Sequence, residues 1–213
     1  YMNPDFAIVL NFKLNTDNVN TDALVKKARD IGVRAISGGD VLQKAADKYT
    51  IKLVNQDGVD LSADEVIDTL VQNRKNGNST VINIHLQDGK ISPEDEGMLE
   101  VINKWMHMFG HAFNESEISE LTVDQDGFVL QNRHANYQKY VFLKSPLPEK
   151  ITISGLSQEP NRVEWIQNRT DLKFGFEDNE LSIALTQPED DFEWQVLRIQ
   201  AHRPEDDIAE TKF

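Results

Sequence analysis

The stretch from residue 61 to residue 116 constrains the fold most, because it contains a complete helix–strand–helix pattern. Ser62 and Glu65 have the spacing of a capping box, which satisfies two free N–H groups where a helix begins. Asn76-Gly77 ends that helix, since glycine accepts the left-handed conformation needed just past a C-cap. The apolar residues between these signals follow helical spacing and are Val66, Ile67, Leu70 and Val71.

A buried strand and a long helix complete this pattern. Val81, Ile82 and Ile84 form a short apolar run, which is typical of a strand buried on both faces. A turn is predicted at residues 87–90, and Ser92-Pro93 begins the next helix with serine as N-cap and proline at the first position. The apolar stripe of this helix consists of Met98, Leu99, Ile102, Trp105, Met106 and Phe109. This arrangement is the repeat unit of a parallel α/β sheet.

The preceding residues predict three further strands and two further helices, which with the elements above make four strand–helix units. Thr21 is the predicted N-cap of the first helix, and Asp40 and Gln43 have capping-box spacing at the second. The predicted strands are residues 6–10, 33–36 and 51–54, and the predicted helices are 21–31 and 40–49. Residues 1–116 are therefore predicted to form a truncated, barrel-like α/β domain of about four βα units.

Helical spacing disappears after residue 117. About eight short β-rich runs follow, separated by Pro, Gly, Asn and Asp, a pattern that indicates an antiparallel β-sandwich. The predicted fold class is thus α/β plus all-β, with the sandwich at residues 117–203 and an acidic tail at 204–213 after a polar lead-in at 1–4.

Composition excludes several kinds of function. The chain has 213 residues, no cysteine and a net charge of −14. Disulfides and Cys-ligated metals are excluded, and the acidity argues against nucleic acid or an anionic membrane as partners. There is no phosphate loop and no Ser-His-Asp order, so no cofactor is predicted. Neither a membrane-span run nor a signal-peptide pattern occurs, so a cytoplasmic location is the default expectation.

The candidate ligand-binding residues follow the predicted strands. Ligands of parallel α/β folds bind at the carboxyl ends of the strands, and polar groups there could hold a sugar by its hydroxyls. These candidates are Asn11, Ser37, Asp57, His85 and Gln87. The simpler alternative is structural, since Asp57 also fits a turn and His85 a hydrogen-bonded rim residue.

No catalytic residue is assigned, and two acids are weak candidates. Paired carboxyl groups can act as general acid and base, and Asp40 and Asp57 are the acids on different strands near the predicted rim. Helix capping by Asp40 and a turn at Asp57 are the simpler interpretations.

Histidines and tryptophans also have two interpretations each. His107 and His111 have the i, i+4 spacing of metal ligands, but no third ligand stands at a defined distance, so no metal site is predicted. The tryptophans could stack on sugars, but each occupies a position in the apolar repeat of its predicted helix or strand, which favours core packing. They are Trp105, Trp165 and Trp194.

Several motifs, taken together, resemble the α-L-fucosidase family of glycoside hydrolases. The closing units of that family's barrel are similar to EVIDTLVQ at 65–72, RKNGNSTVINI at 74–84, Asp88-Gly89 and KWMHMFGHAFNES at 104–116. FAIVLNF at 6–12 resembles its first strand, and KYVFLKSP, ITISGL, RVEWIQ and DNELSIALTQP resemble its terminal sandwich. The resemblance covers nearly the whole chain.

The chain departs from the family where the family binds and cleaves its sugar. Residues 37–41 replace a His-His-Asp-Gly-Phe loop, and Asn11 stands near the position of a first-strand histidine. The middle of the barrel, which carries the nucleophilic aspartate and usually the acid/base carboxylate, has no counterpart. The resemblance therefore implies a shortened relative that lacks the catalytic segment.

The function expected from this resemblance is that of a non-catalytic, fucosidase-like carbohydrate-binding or assembly module. The alternatives are a divergent glycoside hydrolase acting on fucosylated sugars and a structural remnant that associates with a full-length enzyme. A half-barrel has two unpaired edges, which proteins rarely tolerate. An open rearranged sheet, cover from the sandwich or pairing with a second copy could protect them, and a homo-oligomer is expected.

Overall fold

The computed structural model describes residues 6–201 and divides the chain into two compact units after Asn114. The boundary predicted from the sequence is residue 116. The predicted lead-in at 1–4 and the predicted acidic tail at 204–213 lie outside the described residues.

The first unit is a mixed α/β structure with a largely parallel sheet. Its elements are β1 (Ile8–Lys13), α1 (Thr21–Asp30), β2 (Ala35–Ser37), a 3₁₀ turn (Asp40–Leu42), α2 (Gln43–Tyr49), β3 (Lys52–Leu53), α3 (Val66–Lys75), β4 (Thr80–Gln87), β5 (Lys90–Ile91) and α4 (Pro93–Asn114). The strand order is β3-β2-β1-β4-β5. β1 pairs in parallel with both β2 and β4, so the first and last long strands are neighbours.

The central strand β1 is buried on both faces, as its apolar run predicts. Ile8, Leu10 and Phe12 point to one face, and Val9 and Asn11 to the other, because side chains alternate along a strand. All five are buried. Val9 packs with Ala35 of β2 and Val81 of β4 in a small apolar cluster. A polar residue, Asn11, therefore lies directly above an apolar layer on the same face.

Two predicted helix caps are wrong. Asn20, and not Thr21, caps α1: its side-chain oxygen accepts the N–H of Ala23 at 3.1 Å. The capping box predicted for Asp40 and Gln43 is absent from the described residues, because a 3₁₀ turn after Gly39 precedes α2. The Gln43 amide instead donates to Asp47 at 2.8 Å.

The predicted N-cap of α4 is confirmed, whereas among the described residues the capping box predicted at α3 is present in its Glu65 half alone, since no side chain caps the first turn of α3. The Glu65 carboxylate accepts the N–H of Ser62 at 3.0 Å, and the Ser92 hydroxyl accepts the N–H of Asp95 at 3.2 Å. At the far end of α4, the buried Arg74 guanidinium donates to the carbonyls of Phe113 and Asn114. Arg74 thus binds the free C-terminal carbonyls of α4 and ties α3 to it.

The outer edge of β4 is paired rather than open. β5, which the sequence analysis missed, forms an antiparallel hairpin with the end of β4 across the turn at Asp88-Gly89. Closer to the start of β4, Val59 forms an isolated parallel bridge with Ile82. A parallel segment and a hairpin strand therefore cover this edge.

The second unit contains two antiparallel sheets. Its strands are β6 (Ser116–Ile118), β7 (Thr122–Val123), β8 (Gly127–Asn132), β9 (Gln138–Lys144), β10 (Lys150–Ser154), β11 (Arg162–Trp165), β12 (Phe174–Glu177), β13 (Glu180–Ala184) and β14 (Trp194–Gln200). The strand orders are β12-β13-β10-β7 and β11-β14-β9-β8-β6. Side chains of both sheets share one core, including Val141, Ile151, Ile183 and Leu197. β6 was not predicted.

Core packing of the tryptophans is confirmed, since Trp105, Trp165 and Trp194 are all buried. Within residues 6–201, no helix combines the length and the apolar character needed to cross a membrane.

Candidate functional site

The parallel sheet of the first unit presents three layers of side chains on one face. Strand pairing aligns Asn11 of β1 with Ser37 of β2 and Asn83 of β4. The next aligned pair toward the carboxyl ends is Lys13 and His85. Because alternate residues share a face, this face changes from apolar at the bottom to polar and then to charged at its carboxyl edge.

Four side chains at this edge form a continuous hydrogen-bonded row, the carboxyl-edge row: Asn11, Asn83, Asp60 and His85. The Asn11 amide donates to the Asn83 oxygen at 2.9 Å. The Asn83 amide donates to the Gly58 carbonyl at 3.1 Å and to the Asp60 carboxylate at 3.0 Å. Both N–H donors of Asn83 are thus used, and Asn83 holds the segment 58–60 against β4.

Gly58 makes this close approach possible. A Cβ at that position would lie 2.8 Å from the Asn83 side-chain oxygen and 2.9 Å from the Val81 carbonyl. Neither neighbour can move easily, because the carbonyl accepts the N–H of Val59 and Asn83 is held by its own bonds. A glycine is therefore needed where this segment pairs with β4.

Asp60 and His85 form the exposed end of the row. The His85 Nε2 lies 2.8 Å from the Asp60 carboxylate, and the two side chains are 47% and 71% exposed. The hydrogen bonds of Asn83 and His85 lower the pKa of Asp60, and the charges of His85 and Lys13 act in the same direction while burial opposes them. Asp60 is therefore ionised at neutral pH, and its carboxylate faces outward.

An open groove of about 590 Å³ adjoins this pair. Five carboxylates and His85 line it; the acids are Asp60, Asp64, Glu65, Glu94 and Asp95. Asp95 has a structural role there, since its buried carboxylate accepts the backbone N–H of His85 at 2.6 Å. This bond ties the start of α4 to β4 at the backbone of His85.

The predicted ligand residues occupy different depths. His85 lies on the exposed rim, whereas Asn11 is 5% and Ser37 is 2% exposed. The Ser37 hydroxyl donates to the Gln56 carbonyl at 2.9 Å and accepts the Gln56 N–H at 3.0 Å, so it holds the loop after β3. Asn11 and Ser37 therefore support the edge from below.

The remaining candidates stand apart from the row. Asp57, Gln87 and Asp40 are exposed. Among residues 6–201, no hydrogen bond or ion pair joins any of them to the carboxyl-edge row. The two acids considered as catalytic candidates thus have no bonded link to this row.

Sequence reasoning missed Asp60 as a site residue and did not include Asn83 among the ligand candidates. The signal for Asn83 was its position two residues before His85, which places both on one face of the strand. Asp60 follows a segment whose pairing consists of one isolated bridge, and such a segment has no apolar periodicity to reveal it.

The histidines with metal-ligand spacing, His107 and His111, are exposed on α4. In the described part of the chain, no group of three His, Cys, Asp or Glu residues is arranged to hold a metal ion.

Comparisons with known proteins show similarity in fold to fucosidases. No protein-family model matches the sequence, and no curated protein matches it. The chain is similar to the Thermotoga maritima α-fucosidase solved in complex with fucose, with 15% identity, a TM-score of 0.55 and coverage of 84% of this chain and 56% of that one. A Bacteroides thetaiotaomicron α-L-fucosidase gives 17% identity, a TM-score of 0.54 and coverage of 89% and 41%.

A bacterial fucosidase solved with an iminocyclitol inhibitor gives similar values: 16% identity, a TM-score of 0.55, and coverage of 90% of this chain and 42% of that one. The chain therefore spans about half the length of the fucosidases it matches. At this level of identity the similarity shows the fold alone. The fold resemblance stated from the sequence motifs is confirmed.

Proposed function

We propose that this chain is a non-catalytic, fucosidase-like protein that binds carbohydrate at the carboxyl-edge row. In this proposal, the first unit is a shortened barrel-like region and the second unit a β-sandwich. The observation that carries the proposal is the hydrogen-bonded Asp60–His85 pair, held from below by Asn83 and facing an open groove.

The groups at this edge suit the hydroxyls of a sugar. Asp60 offers carboxylate oxygens as acceptors, His85 a second ring nitrogen and Lys13 an ammonium. Asn83, itself bonded to Asn11, holds Asp60, and Asp60 holds the His85 ring, so a ligand would meet a preorganised acceptor and imidazole. One of the similar structures was solved with fucose bound, which makes fucose the first sugar to test.

The same geometry favours binding over hydrolysis. Glycoside cleavage needs a carboxylic acid that is still protonated when it meets the leaving-group oxygen. The lowered pKa of Asp60 keeps that residue ionised, and the Asp95 carboxylate is engaged by the His85 N–H. Neither is suited to serve as the general acid.

The test is isothermal titration of the intact chain with L-fucose and with the fucosylated trisaccharide 2′-fucosyllactose. We expect binding to weaken at least tenfold in Asp60→Ala and in His85→Ala. Asp191→Ala, an exposed carboxylate of the second unit, is the matched control and should bind like the parent. Heat signals that are absent, or equal in all four proteins, would refute binding at this edge.

A divergent glycoside hydrolase is the second candidate. The observation that favours it is that Asp60 and Glu94 both line the groove beside His85, and an ionised aspartate can act as a nucleophile. Turnover of nitrophenyl α-L-fucoside that is lost in both Asp60→Asn and Glu94→Gln would establish this function. Loss in Asp40→Asn or Asp57→Asn instead would assign the chemistry to the acids considered from the sequence.

We also propose that the chain can self-associate through β3, the outermost strand on one side of the parallel sheet. The N–H groups of Lys52 and Val54 donate to carbonyls of residues 34 and 36, so the alternating pattern directs the N–H of Leu53 away from β2. A second copy could pair there. Sedimentation velocity should then show a dimer that Leu53→Pro converts to a monomer, because proline removes that donor and leaves the bonds to β2 intact.

A further inference from the structure

A second groove lies at one end of the second unit, far along the chain from the carboxyl-edge row. Its volume is about 540 Å³. The β6–β7 connection, β8, the start of β9 and the turn after β10 contribute side chains to it. They include Glu120, Leu121, Gln131, Asn136, Lys139 and Leu156.

Lys139 is the unusual residue of this groove. Its ammonium donates to the Gln131 side-chain oxygen at 2.8 Å. Burial lowers the pKa of Lys139, against the opposing charges of Glu117 and Glu120. An ammonium has three N–H donors, and among residues 6–201 Gln131 is its one hydrogen-bond partner. A partly desolvated cation with unused donors therefore faces the groove.

Gln131 holds Lys139 in place through a short chain of polar groups. Its oxygen accepts from Lys139, and its amide lies 3.4 Å from the Glu117 carboxylate. This network fixes the side-chain orientation on a strand, where positions are better defined than on a loop.

The groove also has an apolar side. Leu121 and the buried Leu156 line it, and Ile118, which is 57% exposed, lies at its margin. Gly155 keeps this side open: its φ is +99°, and a Cβ there would lie 3.3 Å from the Leu121 side chain. A wall of this kind can pack against the C–H face of a sugar ring while polar groups contact its hydroxyls.

The charges disfavour ionic ligands, because the Lys139 ammonium would repel a cation and the nearby acidic groups would repel an anion. Glu117 and Glu120 lie close enough to act on Lys139, and the chain carries a net charge of −14. An anionic ligand would meet repulsion from both sources. Carboxylate, amide, hydroxyl and ammonium groups side by side can instead both donate to and accept from the hydroxyls of a saccharide.

We infer that the groove around Lys139, Gln131 and Leu121 is a second saccharide-binding site, which takes a neutral oligosaccharide independently of the first unit. This inference rests on the proposed function, since it assigns the second unit the same class of ligand. The chain would then hold a saccharide at two places.

The experiment is a calorimetric titration of the full chain with 2′-fucosyllactose, comparing the parent with Lys139→Met and Asn136→Ala. We expect two sites in the parent. Lys139→Met should remove one site, and Asn136→Ala should weaken that site severalfold. Lys173→Met, an exposed lysine of the second unit outside the groove, is the control and should keep both sites.

The first-unit variant Asp60→Ala separates this inference from the proposed function. Loss of one site in Lys139→Met and of the other in Asp60→Ala supports both. Binding that is unchanged in Lys139→Met and Asn136→Ala but abolished by Asp60→Ala overturns the second site alone. Absence of heat in the parent overturns both. Thermal unfolding of each variant confirms that a lost site does not reflect a lost fold.

Discussion

The carboxyl-edge row and the Lys139 groove use polar side chains in opposite ways. In the row, Asn83 has both of its N–H donors engaged, and its oxygen accepts from Asn11. In the groove, Lys139 has one partner among the described residues for its three donors. The difference separates polar groups that hold the fold, such as Asn11 and Asn83, from polar groups that can contact a ligand, such as Lys139 and the exposed Asp60 and His85 at the end of the row. Removing the first kind should cost stability, and removing the second kind should cost binding.

The largest loss of stability is expected at Arg74, which belongs to the first kind. Its guanidinium is 3% exposed and donates to the carbonyls of Phe113 and Asn114 at 3.1 and 3.2 Å. Arg74→Met leaves those carbonyls unsatisfied, and we expect the free energy of unfolding to fall by about 3 kcal/mol. Urea titration measures it, with the exposed Lys44→Met as control. Equal midpoints for the two variants would contradict this role.

A smaller loss of stability is expected from Gly58→Ala, which disturbs the segment that Asn83 holds against β4. The added methyl group would contact the Asn83 oxygen and the Val81 carbonyl, so we expect a loss of about 2 kcal/mol from overpacking.

Gly97→Ala is the matched control for that substitution. Gly97 lies in α4 with no atom within 4 Å of the added methyl group, so alanine should stabilise the helix by about 1 kcal/mol. Urea titrations that show the same sign of change at both positions would argue against close packing at Gly58.

The stability that Asp60 contributes should depend on pH, which gives a further test of the carboxyl-edge row. The pKa of its carboxyl is lowered from an ordinary value of 3.8, so its contribution to stability is present above that value and is lost as pH falls through the folded pKa. The stability difference between parent and Asp60→Asn should therefore shrink below that pH. An NMR titration that places the Asp60 carboxyl at or above its ordinary pKa would contradict the row.

The smallest effect on stability is expected at Lys139. Its ammonium is partly desolvated and has one hydrogen-bond partner within residues 6–201, so Lys139→Met should change the free energy of unfolding by no more than about 0.5 kcal/mol. Urea titration checks this. A large destabilisation would place Lys139 among the groups that hold the fold.

Sequence periodicity predicted the helices and strands in which local residue preferences and tertiary packing favour the same structure. Ser92 caps α4 and Glu65 accepts the N–H of Ser62, both as expected, and the tryptophans are buried among the apolar positions of their elements. The failures have local causes. At Asp40, a tight turn after Gly39 replaced the predicted capping box, and β5 and β6 are only two and three residues long.

The candidate site was predicted less completely than the fold. His85 was found because it follows a strongly apolar strand, and strand alternation then aligns it with Asn83. Asp60 could not be found in this way, because its position depends on a hydrogen bond to the side chain of Asn83, which is 23 residues further along the chain. Hydrogen bonds over such separations leave no periodic pattern in the sequence.

The central claim is that the carboxyl-edge row is a preorganised sugar site, and the side-chain amide signals of Asn11 and Asn83 test it most directly. Titration of the labelled chain with L-fucose should shift both pairs of NMR signals. The buried amides of Gln167 and Gln195 in the second unit, which do not line the Lys139 groove, serve as internal references that should not move. Saturating fucose that leaves the Asn11 and Asn83 signals in place would contradict the account.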